Sequence, residues 1–137
     1  IKTIGLYNAK AKNIIKLSRI LLSKYNNKIP KDFKSLISLP GVGNKTASVY
    51  QNSILSVPRI AVDTHVFRVS NRVGLTKSRT ADLTQISLER IVPKKWLMTA
   101  HHILIFHGRK ICKARNPLCK ICSVNKICYY RRENLQS

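Results

Sequence analysis

Four cysteines stand within 17 residues near the C-terminal end: Cys112, Cys119, Cys122 and Cys128. The chain has no others, and the spacing is C-x6-C-x2-C-x5-C after 111 residues without a thiol. Thiols clustered this tightly read as one four-thiolate metal site rather than as core packing. Thiolates are soft donors, suited to zinc or to an iron–sulfur cluster. Disulfides need an oxidising compartment, and nothing in the sequence resembles a signal peptide. Only Cys119 and Cys122 form a close pair, whereas zinc fingers usually use two such pairs. The spacing alone leaves zinc and iron–sulfur both open.

A second group of residues could do chemistry with phosphates or sugars. Pro40-Gly41-Val42-Gly43 forms a tight loop, followed by Asn44, Lys45 and Thr46. Glycines allow a sharp turn and close approach to another surface, and amides feeding a helix start can bind an anion. The pattern is not a nucleotide P-loop, which needs four residues between its first glycine and G-K-[S/T]. A lysine in the first helical turn has its pKa lowered by the helix dipole, by partial burial and by neighbouring cations. Such a lysine could act as an amine nucleophile or simply bind phosphate, and the residues alone leave both readings open. Asp63 is one of five acidic residues. Its plainest role is a helix N-cap.

The elements that must position these groups are helical. The chain has 137 residues, enough for one domain or two small lobes, and 44% of them are hydrophobic. Apolar periodicity predicts helices over about Asn8–Tyr25, a short one carrying Phe33, Leu36 and Ile37 capped by Asp32, then Asn44–Leu55. Further helices are predicted over Thr64–Arg72, ended by Gly74, over Thr80–Val92, and over Lys95–His107, ended by Gly108. The cysteine-rich loop then closes the chain. No strand pattern of useful length appears, so the fold class is all-α.

Lys and Arg number 26 against 5 Asp and Glu, a formal net charge of +21. A polyanion partner follows, because cationic side chains gain free energy by releasing counterions from phosphates. No apolar run approaches the length of a membrane span. The sequence opens at Ile1, without Met, in what reads as the middle of a structural unit. A fragment, or a gene without its 5′ end, is the expectation.

Leu39-Pro40-Gly41-Val42-Gly43-Asn44-Lys45-Thr46-Ala47 resembles the hairpin of the helix-hairpin-helix DNA glycosylases. Val62-Asp63-Thr64-His65-Val66-Phe67-Arg68 resembles that superfamily's V-D-T-H-x-x-R segment. The cysteine loop resembles the [4Fe-4S] loop of the endonuclease III family, including its x6, x2, x5 spacing. The resemblance runs from Ile4-Gly5-Leu6-Tyr7-Asn8 to Cys128.

This resemblance implies an all-α fold of two helical lobes with the active site between them. Residues 1–58 would be part of a helical barrel carrying the hairpin at 39–47. Residues 59–137 would be the cluster lobe with its loop at 112–128. The early barrel helices, the N-terminal helix of the cluster lobe and a gap-filling residue would be missing. Apolar faces such as Ile14, Leu17 and Leu21 would then lose partners.

The implied activity is base-excision repair of oxidised pyrimidines. Lys45 would be the Schiff-base nucleophile of a bifunctional glycosylase and AP lyase, and Asp63 the catalytic carboxylate. Cys112, Cys119, Cys122 and Cys128 would hold a [4Fe-4S] cluster. Gly41, Val42, Gly43, Asn44 and Thr46 would contact DNA, joined by Lys113, Arg115 and Lys120 from the cluster loop. Asn44 stands where many members carry a basic residue. Leu6 is either core or, as the resemblance implies, a wedge beside a flipped base. His65 orders a helix start, and His101, His102 and His107 are not expected to be ligands. The partner would be double-stranded DNA with damaged bases or abasic sites, bound by a monomer in a bacterial cytoplasm near the nucleoid. The alternatives are a truncated, non-catalytic DNA-binding module and a relative specific for mispaired adenine.

Overall fold

The computed structural model describes residue 3 and residues 5–134. Ile4, where the resemblance begins, lies outside them, as do Ile1 and Ser137, the ends of the two expected lobes. Among the described residues there is no strand, and seven α-helices carry the fold. The chain divides into two compact units, Ile1–Ser56 and Val57–Ser137.

The first unit contains α1 (Tyr7–Tyr25), α2 (Phe33–Ile37) and α3 (Asn44–Leu55). Helix α1 ends where Asn26 turns left-handed, at φ 49°, and returns its amide to Leu21 O. Asn27 is left-handed as well, so the two asparagines terminate the helix as expected. Asp32 caps α2 by accepting from the Ser35 amide at 2.8 Å. That bond holds its carboxyl below the usual carboxylate range. Between α2 and α3 the chain reverses at Gly41, whose φ is +78°. A Cβ there would meet Asn13 Cβ at 3.0 Å, so both conformation and packing require glycine. No residue of α1 is buried, and Ile14 is 55% exposed. Leu17 and Leu21 are half-buried.

The second unit contains α4 (Thr64–Val73), α5 (Ala81–Ile91), α6 (Leu97–Lys110) and α7 (Tyr129–Asn134). Its core is Ile60, Val62, Val66, Val69, Leu88, Leu97 and Leu104. Burying each such side chain stabilises by roughly 1.5–3 kcal/mol. Thr80 caps α5 through the Leu83 amide, and Gly74 ends α4 in the left-handed region. Leu83, Ile86, Ile103 and Phe106 remain exposed. No helix among the described residues is long and apolar enough to cross a membrane.

Three expectations are corrected here. The last long helix starts later than Lys95, because Lys94–Trp96 form a 3-10 turn after Pro93. It also does not stop at Gly108 but runs through it to Lys110. Gly108 is buried, and a Cβ on it would meet His65 Cβ at 2.9 Å and Val69 Cγ2 at 3.1 Å. The glycine is there to let α6 lie against α4, not to terminate a helix. Finally, the cysteine loop does not close the structure, since α7 follows it.

Gly108→Ala gains about 1 kcal/mol of helix propensity. Overpacking against α4 costs about 1–3 kcal/mol. The clash wins, so a lowered midpoint in thermal or urea unfolding is expected; a raised midpoint would refute the close-approach account.

Candidate active site and thiol site

Lys45 is the second residue of α3, on an exposed part of its first turn. The partial burial expected of it is absent, because the first turn faces solvent in this unit. Gly43 occupies the N-cap with no side-chain cap, whereas α2, α4 and α5 are capped by Asp32, Asp63 and Thr80. A helix start without a capping side chain presents amide hydrogens to an incoming anion. Nothing lies within 4 Å of a Cβ built on Gly43, so the loop is bare on that side. Val42 and Asn44 are half-buried beside it; Gly41, Gly43 and Thr46 are exposed.

Leu6 is not core: it is 80% exposed. Its backbone is left-handed, at φ 59°, a conformation that costs a non-glycine residue roughly 1–2 kcal/mol.

Asp63 caps α4. Its Oδ1 accepts from the His65 amide at 2.9 Å and the Val66 amide at 2.8 Å. Both bonds fall on one oxygen, leaving Oδ2 without a protein partner among the described residues. The carboxylate is thus locked in orientation while half of it remains available. Val66, which donates one of these bonds, is fully buried, so the cap is anchored in the core.

Two arginines that composition alone does not single out tie α4 to the thiol region. Arg68 donates to Cys112 O at 3.1 Å and Gly108 O at 2.8 Å. It also lies 3.2 Å from His65 Nδ1. Arg72 donates to Lys113 O at 2.7 Å and Ala114 O at 3.1 Å, and lies 3.7 Å from Cys112 Sγ. Its guanidinium also covers the Tyr130 ring at 4.4 Å. The readable signal is the spacing: Arg68 and Arg72 are four apart, hence on one helix face.

Cys112, Cys119, Cys122 and Cys128 all line one apolar cavity, with Val73, Ile111 and Val124. All four are free thiols. Cys128 is buried and its Sγ donates to Arg72 O at 3.2 Å; Cys122 Sγ lies 3.6 Å from His107 Nε2. Burial pushes the His107 pKa down from its ordinary value. Among the described residues no three His, Cys, Asp or Glu side chains converge closely enough for a lone metal ion. Four soft donors around one apolar cavity are a donor set suited to a thiolate-held metal centre. Lys113, Arg115 and Lys120 are exposed on the same loop.

The hairpin, the capped aspartate and the ring of thiols thus occur in order on an all-helical chain. The chain belongs to the HhH-GPD superfamily of base excision DNA repair proteins, whose model matches residues 1–94. Within it the similarity is to endonuclease III. The protein of that name from Rickettsia conorii (strain ATCC VR-613 / Malish 7) is 56% identical over 130 residues, covering 95% of this chain and 62% of the relative. The Escherichia coli (strain K12) endonuclease III is 47% identical over 133 residues, covering 97% and 63%. Among solved structures, a non-covalent endonuclease III–DNA complex matches with a TM-score of 0.92 and 42% identity, over 99% of this chain and 64% of that one. A thermostable thymine-DNA glycosylase matches at 0.80 and 27% identity, over 95% and 62%. The chain spans about 62% of the length of the curated relatives it matches.

Arg72→Met should release the carbonyls of Lys113 and Ala114. Each lost charged hydrogen bond is worth about 1.5–3 kcal/mol. Faster amide exchange and faster proteolysis at 110–118 are expected, with α5 unaffected; unchanged protection of the loop would refute the clamp.

Proposed function

We propose that the chain carries the catalytic chemistry of a DNA glycosylase with AP-lyase activity, acting on oxidised pyrimidines. The observation that carries this reading is Asp63, a rigid cap with one free carboxylate oxygen, following the uncapped glycine hairpin of Lys45. Family membership supports base-excision repair, and the similarity to endonuclease III structures with DNA supports a DNA partner.

As a base leaves deoxyribose, positive charge develops at C1′. A carboxylate fixed before the reaction stabilises that charge without reorganising. The Lys45 amine, when neutral, attacks C1′ as the bond from C1′ to the base breaks; the adduct then loses its N–H protons and the C1′–O4′ bond opens, leaving O4′ as a hydroxyl and C1′ in a Schiff base with Lys45. Loss of a proton from C2′ then expels the 3′ phosphate by β-elimination. Gly41 and Gly43 let the backbone approach a phosphate, and the first-turn amides of α3 and the Asn44 and Thr46 side chains would receive it. Leu6 would fill the gap left by a flipped nucleotide, offsetting part of the few kcal/mol of lost stacking. Lys113, Arg115 and Lys120 would bind further along the backbone.

Cys112, Cys119, Cys122 and Cys128 would hold a [4Fe-4S] cluster. When bound, the cluster would supply a redox-capable structural anchor for the basic loop. Protein purified without oxygen should contain about four iron and about four sulfide per chain. One zinc per chain, with no colour, would refute the assignment.

Borohydride should lock the chain covalently onto DNA bearing an abasic site. Lys45→Gln should abolish that adduct while binding survives; trapping that persists would rule out Lys45. Asp63→Asn keeps a good cap, so stability should change by only a few tenths of a kcal/mol, whereas Asp63→Ala costs about 1 kcal/mol. Base excision by Asp63→Asn should fall at least about 100-fold, with trapping on a preformed abasic site less affected. Normal excision by Asp63→Asn would leave Asp63 as a cap only. No trapping by the unaltered chain would favour a non-catalytic DNA-binding module.

A further inference from the structure

Next to the four-thiol cavity, on the side facing α7, lies a larger cavity of about 540 Å³. Pro117, Leu118, Ile121 and Tyr130 form most of its apolar wall, and Lys120 and Arg131 also line it. A second, shallower cleft of about 400 Å³ is lined by Asn125, Lys126, Arg131 and Arg132. Arg131 belongs to both. An apolar chamber thus joins a basic cleft through one shared guanidinium.

The two arginines are held in place. Arg131 Nη1 donates to Cys119 O at 3.4 Å, and Arg132 Nη2 donates to Ile127 O at 3.0 Å. Asn125 Nδ2 reaches Cys119 O at 3.5 Å. Anchored donors lose less freedom on binding an anion than free ones. The one carboxylate of α7, Glu133, is bonded to Tyr129, whose pKa it raises. Ile121 is 71% exposed at the chamber's edge. Tyr130 has one side covered by Arg72, which fixes its ring as a wall.

We propose that this double cavity binds an unpaired nucleotide, with the base in the apolar chamber and the phosphate on the Lys126–Arg131–Arg132 cleft. The chamber's volume is that of a small-molecule pocket. A base paired and stacked within a duplex could not enter it. An unpaired base brings an apolar face and an adjoining phosphate, the two chemistries the paired cavities offer. The site involves neither Lys45 nor Asp63. The proposal rests on the DNA-repair reading only for the source of the nucleotide.

The test uses the anaerobically purified chain and fluorescence anisotropy with a labelled short oligothymidylate. Thymidine 5′-monophosphate should compete for the site, and inorganic phosphate at equal ionic strength should not. Arg131→Gln/Arg132→Gln should weaken oligothymidylate about tenfold through the lost phosphate contacts, and leave a fully paired, undamaged blunt duplex bound as before. Ile121→Glu alters an exposed position, so it should fold normally and weaken the single strand similarly. Equal competition by phosphate, or single-strand binding unmoved by both variants, would overturn the proposal. A monophosphate that binds as tightly as the oligomer would identify a free nucleotide as the ligand; a much tighter oligomer would identify a strand. Failure of borohydride trapping with single-strand binding intact would count against the lyase reading and leave this one standing.

Discussion

Helix α4 and its two arginines hold the second unit's chemistry together. The helix is ten residues long, about 15 Å at 1.5 Å per residue. Its start fixes Asp63, and its later turns carry Arg68 and Arg72 onto the carbonyls of Gly108, Cys112, Lys113 and Ala114. These carbonyls lie at or just beyond the end of α6, where a helix leaves acceptors unsatisfied and accumulates negative potential. A planar guanidinium answers both needs at once, and lysine could not reproduce the fork. Gly108 permits the approach that makes these bonds short. A carboxylate at one end of a rigid rod and a ring of thiols at the other are therefore parts of one mechanical object.

Charge is organised by scarcity. Five acidic residues face 26 basic ones, and most of the five have structural duties. Asp32 and Asp63 cap helices. Glu89 holds Arg59 and accepts from the Ile60 amide at the entry to the second unit. Glu133 engages Tyr129. Internal neutralisation cannot satisfy the remaining cations, so they need counterions from outside the chain, and a polyanion releases its own small ions in supplying them.

Much of the helical architecture is legible in single residues, because caps are local. Asp32, Asp63 and Thr80 each place a side-chain oxygen over amides two or three residues ahead, and Asn26 and Gly74 turn left-handed where apolar periodicity ends. Contacts distant in sequence are not legible in that way. Gly108 reads as a stop signal because glycine usually is one, yet its role is set by His65, 43 positions earlier. The exposure of Lys45 is equally hidden, since a first-turn position has the same sequence whether or not anything covers it. The thiols are readable as a donor set, but their arrangement around one cavity depends on Arg72 and on the path of the chain through 113–118. Helix α7 is short and polar, with no apolar stripe to announce it.

The exposed apolar faces have a consequence for how the chain behaves as a colloid. Ile14, Ile15 and Leu22 on α1, and Ile86, Ile103 and Phe106 on α5 and α6, face solvent on a molecule of formal charge +21. At low ionic strength, mutual repulsion between copies keeps those faces apart. Added salt shortens the reach of that repulsion to about 10 Å at 0.1 M, while the attraction between apolar surfaces persists. The same ions that loosen such a chain from DNA would therefore also bring its copies together, so its solubility and its affinity for polyanions should decline along one axis.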